Sequence, residues 1–367
     1  MWTLIHLEPI TSGCPNRCRH CSEEGGPPIG ALMSLEEVKW VVGEFERACR
    51  DTVGNVPQFR LTLDTFEPTT HREFIRLVEY VLSFIPESRR HEHEALGTNG
   101  YGLARRTNWE PTFYALMSLG IRSLGFAVHG VEEEHDWFVR RKGAYRDIEI
   151  AAQRALAVGM TVQVQVYPSK RNLKQFPAMV EAVQKMGAGR AKIFSAPAGY
   201  CMNDRLRAYE ALRITKSDRD LIADALSRAP DNDSNTEAFW TRYLAEEGKN
   251  ADLCTYEPAG RGPDERKLGL LRVTPTFDLI EKLDSRPSIL HGNIKRDRID
   301  SVWRSVLETT LPPMPEPDAL AHLYGDFESE ALHPGADSVY MKLCDKYWLG
   351  SQKREMATLA SGSQPRN

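Results

Sequence analysis

The sequence predicts an α/β fold: a partial (β/α)6 barrel of TIM type over residues 1–205, then a smaller α+β region over 206–350 and a polar tail over 351–367. Three observations carry this reading. Short apolar runs alternate with longer amphipathic stretches across about 200 residues, giving six strands alternating with helices, the signature of parallel βα units. Right-handed crossovers curl such units into a full or partial barrel. Beyond residue 205 the rhythm changes: Asp231-Asn232-Asp233-Ser234-Asn235 is a polar break, and 258–265 and 312–317 are Pro/Gly-rich connectors.

In order, Trp2–Leu7 reads as the first strand. Ser34–Cys49 reads as a helix, with Ser34 and Glu37 as a capping box and Leu35, Val38, Val42 and Phe45 on one face. Phe59–Leu63 is the second strand and Thr70–Phe84 the next helix, with apolar Phe74, Leu77, Val78 and Val81. His93–Gly97 is the third strand, Pro111–Leu119 a helix, and Ser123–His129 the fourth strand. Ala144–Val158 is a helix ended by Gly159. Thr161–Tyr167 is the fifth strand, Leu173–Met186 a helix and Ala191–Ser195 the sixth strand. The tail 351–367 has the composition of a disordered segment.

Charge and composition narrow the function. The 367 residues carry 47 basic and 51 acidic side chains, a formal net charge of -4, with no basic stripe. Nucleic acid is therefore not the expected partner. No stretch reads as a membrane span, and the opening run 1–9 is too short for a signal peptide, so the expected location is cytoplasmic. Seven cysteines, an odd number, argue against a disulfide framework.

Three of them crowd into Cys14-Pro15-Asn16-Arg17-Cys18-Arg19-His20-Cys21, directly after the first strand. A short loop with CxxxCxxC spacing wraps three soft thiolates around three irons of a cubane cluster and leaves the fourth iron open. Arg17 and Arg19 are positioned to offset the cluster's negative charge. A zinc site with His20 as fourth ligand is another reading, but zinc sites usually pair two such knuckles and no second one is present. Three unrelated cysteines is the remaining reading.

On these residues the chain resembles the radical S-adenosylmethionine (SAM) superfamily over about residues 3–200. The resemblance implies one [4Fe–4S] cluster held by Cys14, Cys18 and Cys21, with SAM on its open iron. One-electron cleavage of SAM then yields a 5′-deoxyadenosyl radical that abstracts hydrogen from a substrate. An external one-electron donor such as flavodoxin or ferredoxin is implied as well. Further motifs extend the likeness. Thr65-Phe66-Glu67-Pro68 stands where the family carries Gly-Gly-Glu-Pro, so the resemblance gives Glu67, with main-chain groups at Thr65 and Phe66 beside Pro68, to the SAM ammonium. Thr98-Asn99-Gly100 resembles the family element that lines the SAM cavity. Phe126-Ala127-Val128-His129-Gly130, His135-Asp136 and Lys142-Gly143-Ala144-Tyr145 resemble the SPASM/twitch branch, which acts on peptides and small metabolites. Two family positions differ: the usual serine is Ala127 and the usual arginine is Val139, which shifts the expected carboxylate contact to Arg140. His129 replaces an aspartate and is expected to face ribose or substrate. On the fifth strand, Gln163, Gln165 and Tyr167 alternate with valines, so a polar face is expected toward the barrel cavity.

Downstream, Val273-Thr274-Pro275-Thr276-Phe277-Asp278 and His291-Gly292-Asn293-Ile294 resemble the twitch hairpin and its partner element. The cysteine that usually follows the hairpin falls near Lys282. Cys201, Cys254 and Cys344 have no paired spacing. A degenerate twitch-like domain without an auxiliary cluster is expected, although a cluster from these cysteines and His291 is an alternative. Cys201, just beyond the sixth strand, is the candidate hydrogen-atom donor. The expected function is a radical SAM enzyme acting on a small-metabolite or peptide substrate by epimerisation, rearrangement, dehydrogenation or carbon–carbon bond formation. The competing classes are a non-catalytic zinc- or cluster-bearing scaffold and a methyltransferase of polar type, whose Gly-rich loop after the first strand is missing.

Overall fold

The computed structural model describes residues 4–19, 21, 32–53, 58–63, 66–85, 94–167, 169–188, 190–193, 212, 270–282 and 288–308. His20, Thr65, Cys201, Cys254, Cys344, the polar break, both connectors and the tail lie outside the described residues.

The first strand, β1 (Leu4–Pro9), delivers the chain into the cysteine loop. Helix α1 (Leu35–Val53) follows. Its capping box is formed as expected: Ser34 N–H and Oγ both donate to Glu37 Oε2, at 2.9 and 3.0 Å, and Glu37 N–H returns a bond to Ser34 Oγ at 3.3 Å. The backbone bond from Ser34 holds the Glu37 carboxyl below its ordinary pKa. Strand β2 (Gln58–Leu61) pairs parallel with β1. A 3-10 turn at Pro68–Thr70 leads to α2 (Phe74–Ser83). Strand β3 (Ala95–Gly97) is followed by α3 (Tyr101–Arg105) and α4 (Trp109–Ser118). Then come β4 (Ser123–Val128), α5 (Glu133–Val139), α6 (Ala144–Ala157) and β5 (Thr161–Val166). A 3-10 turn at Leu173–Gln175, α7 (Phe176–Lys185) and β6 (Arg190–Ile193) complete the alternating part. The C-terminal elements are β7 (Leu270–Val273), β8 (Asp278–Lys282), β9 (Ile289–Asn293) and α8 (Ile299–Glu308).

The strands form two sheets rather than the single six-strand array the sequence suggests. One runs β3-β4-β5-β6, all parallel; the other runs β2-β1-β7-β8-β9. The first packs its helices into one core that includes Leu124, Phe126, Val162, Val164, Phe113, Ile148 and Phe176. The second core joins β1 and β7 to α1, α2 and α8, with Phe45 edge-on to Trp303 at 6.1 Å. Strand β7 lies parallel to β1, with Glu8 opposite Arg272. These two side chains are buried and paired, Nε to Oε2 at 2.6 Å. Removing either would strand a charge in the interior, so the C-terminal hairpin is tied to the first barrel strand.

The hairpin turn is organised by Asn293. Its Nδ2 donates to Thr276 O at 2.6 Å and to Asp278 Oδ1 at 2.7 Å. His291, weighed as a cluster ligand, is engaged elsewhere: Nε2 lies 3.0 Å from Glu281 Oε2 and Nδ1 3.2 Å from Ser305 Oγ. No helix among the described residues is long and apolar enough to cross a membrane.

Candidate radical-generating site

Strand β1 ends at Pro9, and the cysteine loop is laid across the end of α5 by two backbone bonds. Arg17 N–H donates to Val139 O at 3.0 Å and Arg19 N–H to Phe138 O at 2.9 Å. Cys14, Cys18 and Cys21 are all half-buried free thiols. Burial pushes the Cys14 thiol up to about 12 and also raises Cys18, to which neighbouring Cys14 and Cys21 add. Burial thus disfavours bare thiolates at Cys14 and Cys18, and a bound metal group would supply the charge that deprotonates them. Among the described residues no three His, Cys, Asp or Glu side chains converge on one point suited to a single ion. A cubane takes each thiolate on a different iron and does not ask for such convergence.

The loops after β2 and β3 close around Cys14. Asn99 Nδ2 donates to Cys14 Sγ at 3.4 Å. Asn99 is held from both sides: its N–H donates to Glu67 Oε2 at 2.6 Å, and its Oδ1 accepts from Tyr101 N–H at 3.0 Å, starting α3. Gly100 is in the left-handed region (φ 82°) and a Cβ there would meet the Asp147 backbone at 3.0 Å. Gly102 faces Thr69 so closely that a Cβ would sit 2.3 Å from its hydroxyl oxygen. Both glycines are thus required by packing, which gives Thr98-Asn99-Gly100 a physical basis.

Besides the SAM contact expected of it, Glu67 has partners within the protein. It is fully buried, and its carboxylate accepts from the hydroxyls of Thr69 and of Thr98, the latter at 2.6 Å, besides Asn99 N–H. It is a clamp that positions Asn99 against Cys14. Glu67→Gln turns one oxygen into a donor among donors, so folded stability should fall by about 1–3 kcal/mol. An unchanged equilibrium denaturation midpoint would refute the clamp.

A cavity of about 710 Å³ opens beside the loops, within the range of small-molecule sites. Cys18, Phe66, Pro68, Asn99, His129, Gln163 and Gln165 line it, so the polar face of β5 does turn inward. Tyr167 Oη donates to Gln165 Oε1 at 3.0 Å. The His129 ring stacks on Phe138 (centroids 4.1 Å apart) and on Tyr167 (4.9 Å). Stacking uses the ring faces, so the edge is what His129 offers the cavity. Asp136 caps α6, accepting from Gly143 N–H at 2.5 Å and Tyr145 N–H at 2.9 Å.

Arg140 adopts φ 54° at the end of α5 and is exposed, and neither it nor Arg141 is among the residues that line the cavity. Its neighbour Arg141 turns under the cysteine loop instead. Arg141 Nε donates to Asn16 Oδ1 at 2.6 Å and Nη1 to Asp147 Oδ2 at 2.5 Å, with the side chain 12% exposed. Its buried Nη2 has no hydrogen-bond partner among the described residues. Arg141 is also the cation that acts on Cys18, whereas Arg17 is exposed and Arg19 turns to Trp137. The sequence signal that would have found it is the run Arg140-Arg141-Lys142 after a helix that ends one residue early.

These residues fit the group that the cysteine spacing implies: three thiols in one loop, a donor on one sulfur, a buried cation beside another with an unused N–H, and a cavity reaching Cys18.

Comparison with known proteins places the chain. Residues 9–183 match the family described as "Radical SAM superfamily". A GTP 3′,8-cyclase from Sulfurimonas denitrificans is 25% identical over 186 residues, 48% of this chain and 51% of the relative. The chain thus spans about half the length of that curated relative. Among solved structures, Streptococcus suis SuiB bound to its precursor peptide SuiA aligns with TM-score 0.42 at 12% identity, over 76% of this chain and 59% of SuiB. Escherichia coli coproporphyrinogen III oxidase (HemN), a radical SAM enzyme, aligns with TM-score 0.40 at 13% identity, over 65% of this chain and 52% of HemN. On the family match and the cysteine loop it contains, this chain carries a domain of the radical SAM superfamily, whose members are enzymes that use a [4Fe–4S] cluster and SAM.

Proposed function

We propose that Cys14, Cys18 and Cys21 hold one [4Fe–4S] cluster, and that the chain uses it with SAM to start radical chemistry on a small-metabolite or peptide substrate in the adjoining cavity. When bound, cluster and SAM together supply a 5′-deoxyadenosyl radical. The carrying observation is the convergence of Asn99 and Arg141 on the cysteine loop at one end of the cavity. Asn99 Nδ2 stabilises thiolate at Cys14, and Glu67 keeps Asn99 in place. Arg141, fixed by Asn16 and Asp147, presents Nη2 to the SAM carboxylate, the part first given to Arg140. Phe66 and Pro68 wall the cavity and exclude water.

Farther along, His129, Gln163 and Gln165 offer hydrogen bonds to a polar substrate, with Tyr167 orienting Gln165. Residues 270–308 contain no cysteine, so the C-terminal hairpin brings no thiolate for an auxiliary cluster. A redox-neutral outcome, rearrangement or hydrogen return, is therefore favoured over a net two-electron oxidation, with Cys201 as the proposed hydrogen donor. An oxygen-sensitive cluster and free thiols suit the reducing cytoplasm.

Anaerobic reconstitution tests the cluster: about four irons per chain and a brown colour absorbing near 400 nm are expected. A protein that takes up one zinc and remains colourless would overturn the proposal.

A further inference from the structure

The cavity extends past β2 and β3. These strands are consecutive in the chain, yet each is the edge of a different sheet. A parallel ladder would set them about 4.8 Å apart and wall the interior off from the helices outside. Here Ala95 and Gly97 of β3 are exposed, as an uncovered edge should be, while Leu96 between them is buried. Behind this edge lies α2, which is apolar on two sides because it serves both cores. Leu77, Tyr80 and Phe84 pack into the core that contains α1. Val78, Leu82 and Ile85, at helical spacing, pack into the core of the β3-β4-β5-β6 sheet.

The cavity reaches this second stripe. Val78, Leu82 and Ile85 line it, with Val81, Leu63 and Ile121 beside them. The same cavity is lined by Cys18 and Asn99. It therefore has two unlike parts. One carries the polar groups of Asn99, His129 and Gln165; the arm against α2 carries aliphatic side chains. Among the described residues no Asp, Glu, Lys or Arg lines either part. Aliphatic walls favour carbon chains, which gain by leaving water, over charged groups, which lose by it.

We infer that the substrate carries an apolar carbon chain behind its polar reacting end, and that the chain lies in the arm against α2. The inference rests on the proposed use of the cavity and narrows the substrate class to a small amphipathic molecule. Its head points toward the cysteine loop, and its chain takes the place that a β2-β3 ladder would otherwise close.

The probes are N-acetyl-, N-butanoyl-, N-hexanoyl- and N-octanoyl-glycinamide. Each is titrated calorimetrically into reconstituted protein with SAM bound and no reductant. Affinity should rise about fourfold per added methylene, the gain for carbon that leaves water. Val81→Phe, which places a ring in the arm, should flatten the rise at the longer members and leave the acetyl member bound as in wild type. Val81→Ala, which frees space there, should keep the rise or steepen it. Wild-type affinity independent of chain length overturns the inference, whether or not the variants fold. A rise that persists unchanged in folded Val81→Phe overturns the placement against α2. N-acetyl-leucinamide, with its short branched side chain, should bind no better than the butanoyl member. If it binds as tightly as the octanoyl member, the occupant is a peptide side chain and the carbon chain is overturned. Failure of the reduced protein to cleave SAM refutes the cluster reading instead, and is read independently of the titration.

Discussion

Replacing any one of Cys14, Cys18 or Cys21 by alanine should reduce 5′-deoxyadenosine formation to background and remove most of the bound iron. On the proposed reading each thiolate is the ligand of a different iron, and among the described residues none of the three has a spare thiol beside it. Among the described residues the remaining cysteine is Cys49, buried in the core behind α1 and pushed by that burial to about 12, where it behaves as a small apolar side chain. Cys49→Ala should therefore keep full cluster content. Iron analysis and product assay together check the prediction. A Cys18→Ala protein that retains wild-type iron and rate would remove Cys18 from the ligand set.

The second large effect is expected at Arg141. Its Nε and Nη1 are spent on Asn16 and Asp147, which leaves Nη2 for a ligand carboxylate. A charge-assisted hydrogen bond of this kind is worth about 1.5–3 kcal/mol, roughly ten- to hundredfold in SAM affinity. Arg141→Lys keeps the charge but loses the fork that fixes the side chain, so most of that affinity should go. Asp147 also reaches Arg105 Nε at 3.4 Å and is not left alone. Arg140→Ala should leave SAM affinity unchanged. Equilibrium titration of the reconstituted variants decides the point; weakened binding by Arg140→Ala with normal binding by Arg141→Lys would reverse the assignment.

Much of the fold could be read in the sequence because periodicity carries it. The capping box at Ser34 and Glu37 is formed, Gly159 ends α6 with φ 85°, and alternation along β5 turns Gln163 and Gln165 to the cavity. Helices α3 and α5 escaped because five and seven residues are too few to show a helical period. The division into two sheets was not legible, since pairing between β1 and β7 joins residues 264 positions apart, as in the Arg272–Glu8 bond. In the site, the cysteine spacing and Asn99 were legible as local motifs. The pairing of Arg141 with Asn16 and Asp147 was not, because it depends on where α5 ends, set by one backbone angle at Arg140. Nor was the clamp by Glu67, whose partners at Thr98 and Asn99 come from another loop.

The central claim is that this chain turns SAM into a radical at the Cys14–Cys21 loop. The most direct measurement is 5′-deoxyadenosine formed from SAM by anaerobically reconstituted protein after reduction with dithionite. Formation that requires iron, reductant and all three cysteines is the expected result. Fully loaded, fully reduced protein that leaves SAM intact, or that transfers its methyl group without making 5′-deoxyadenosine, would contradict the claim.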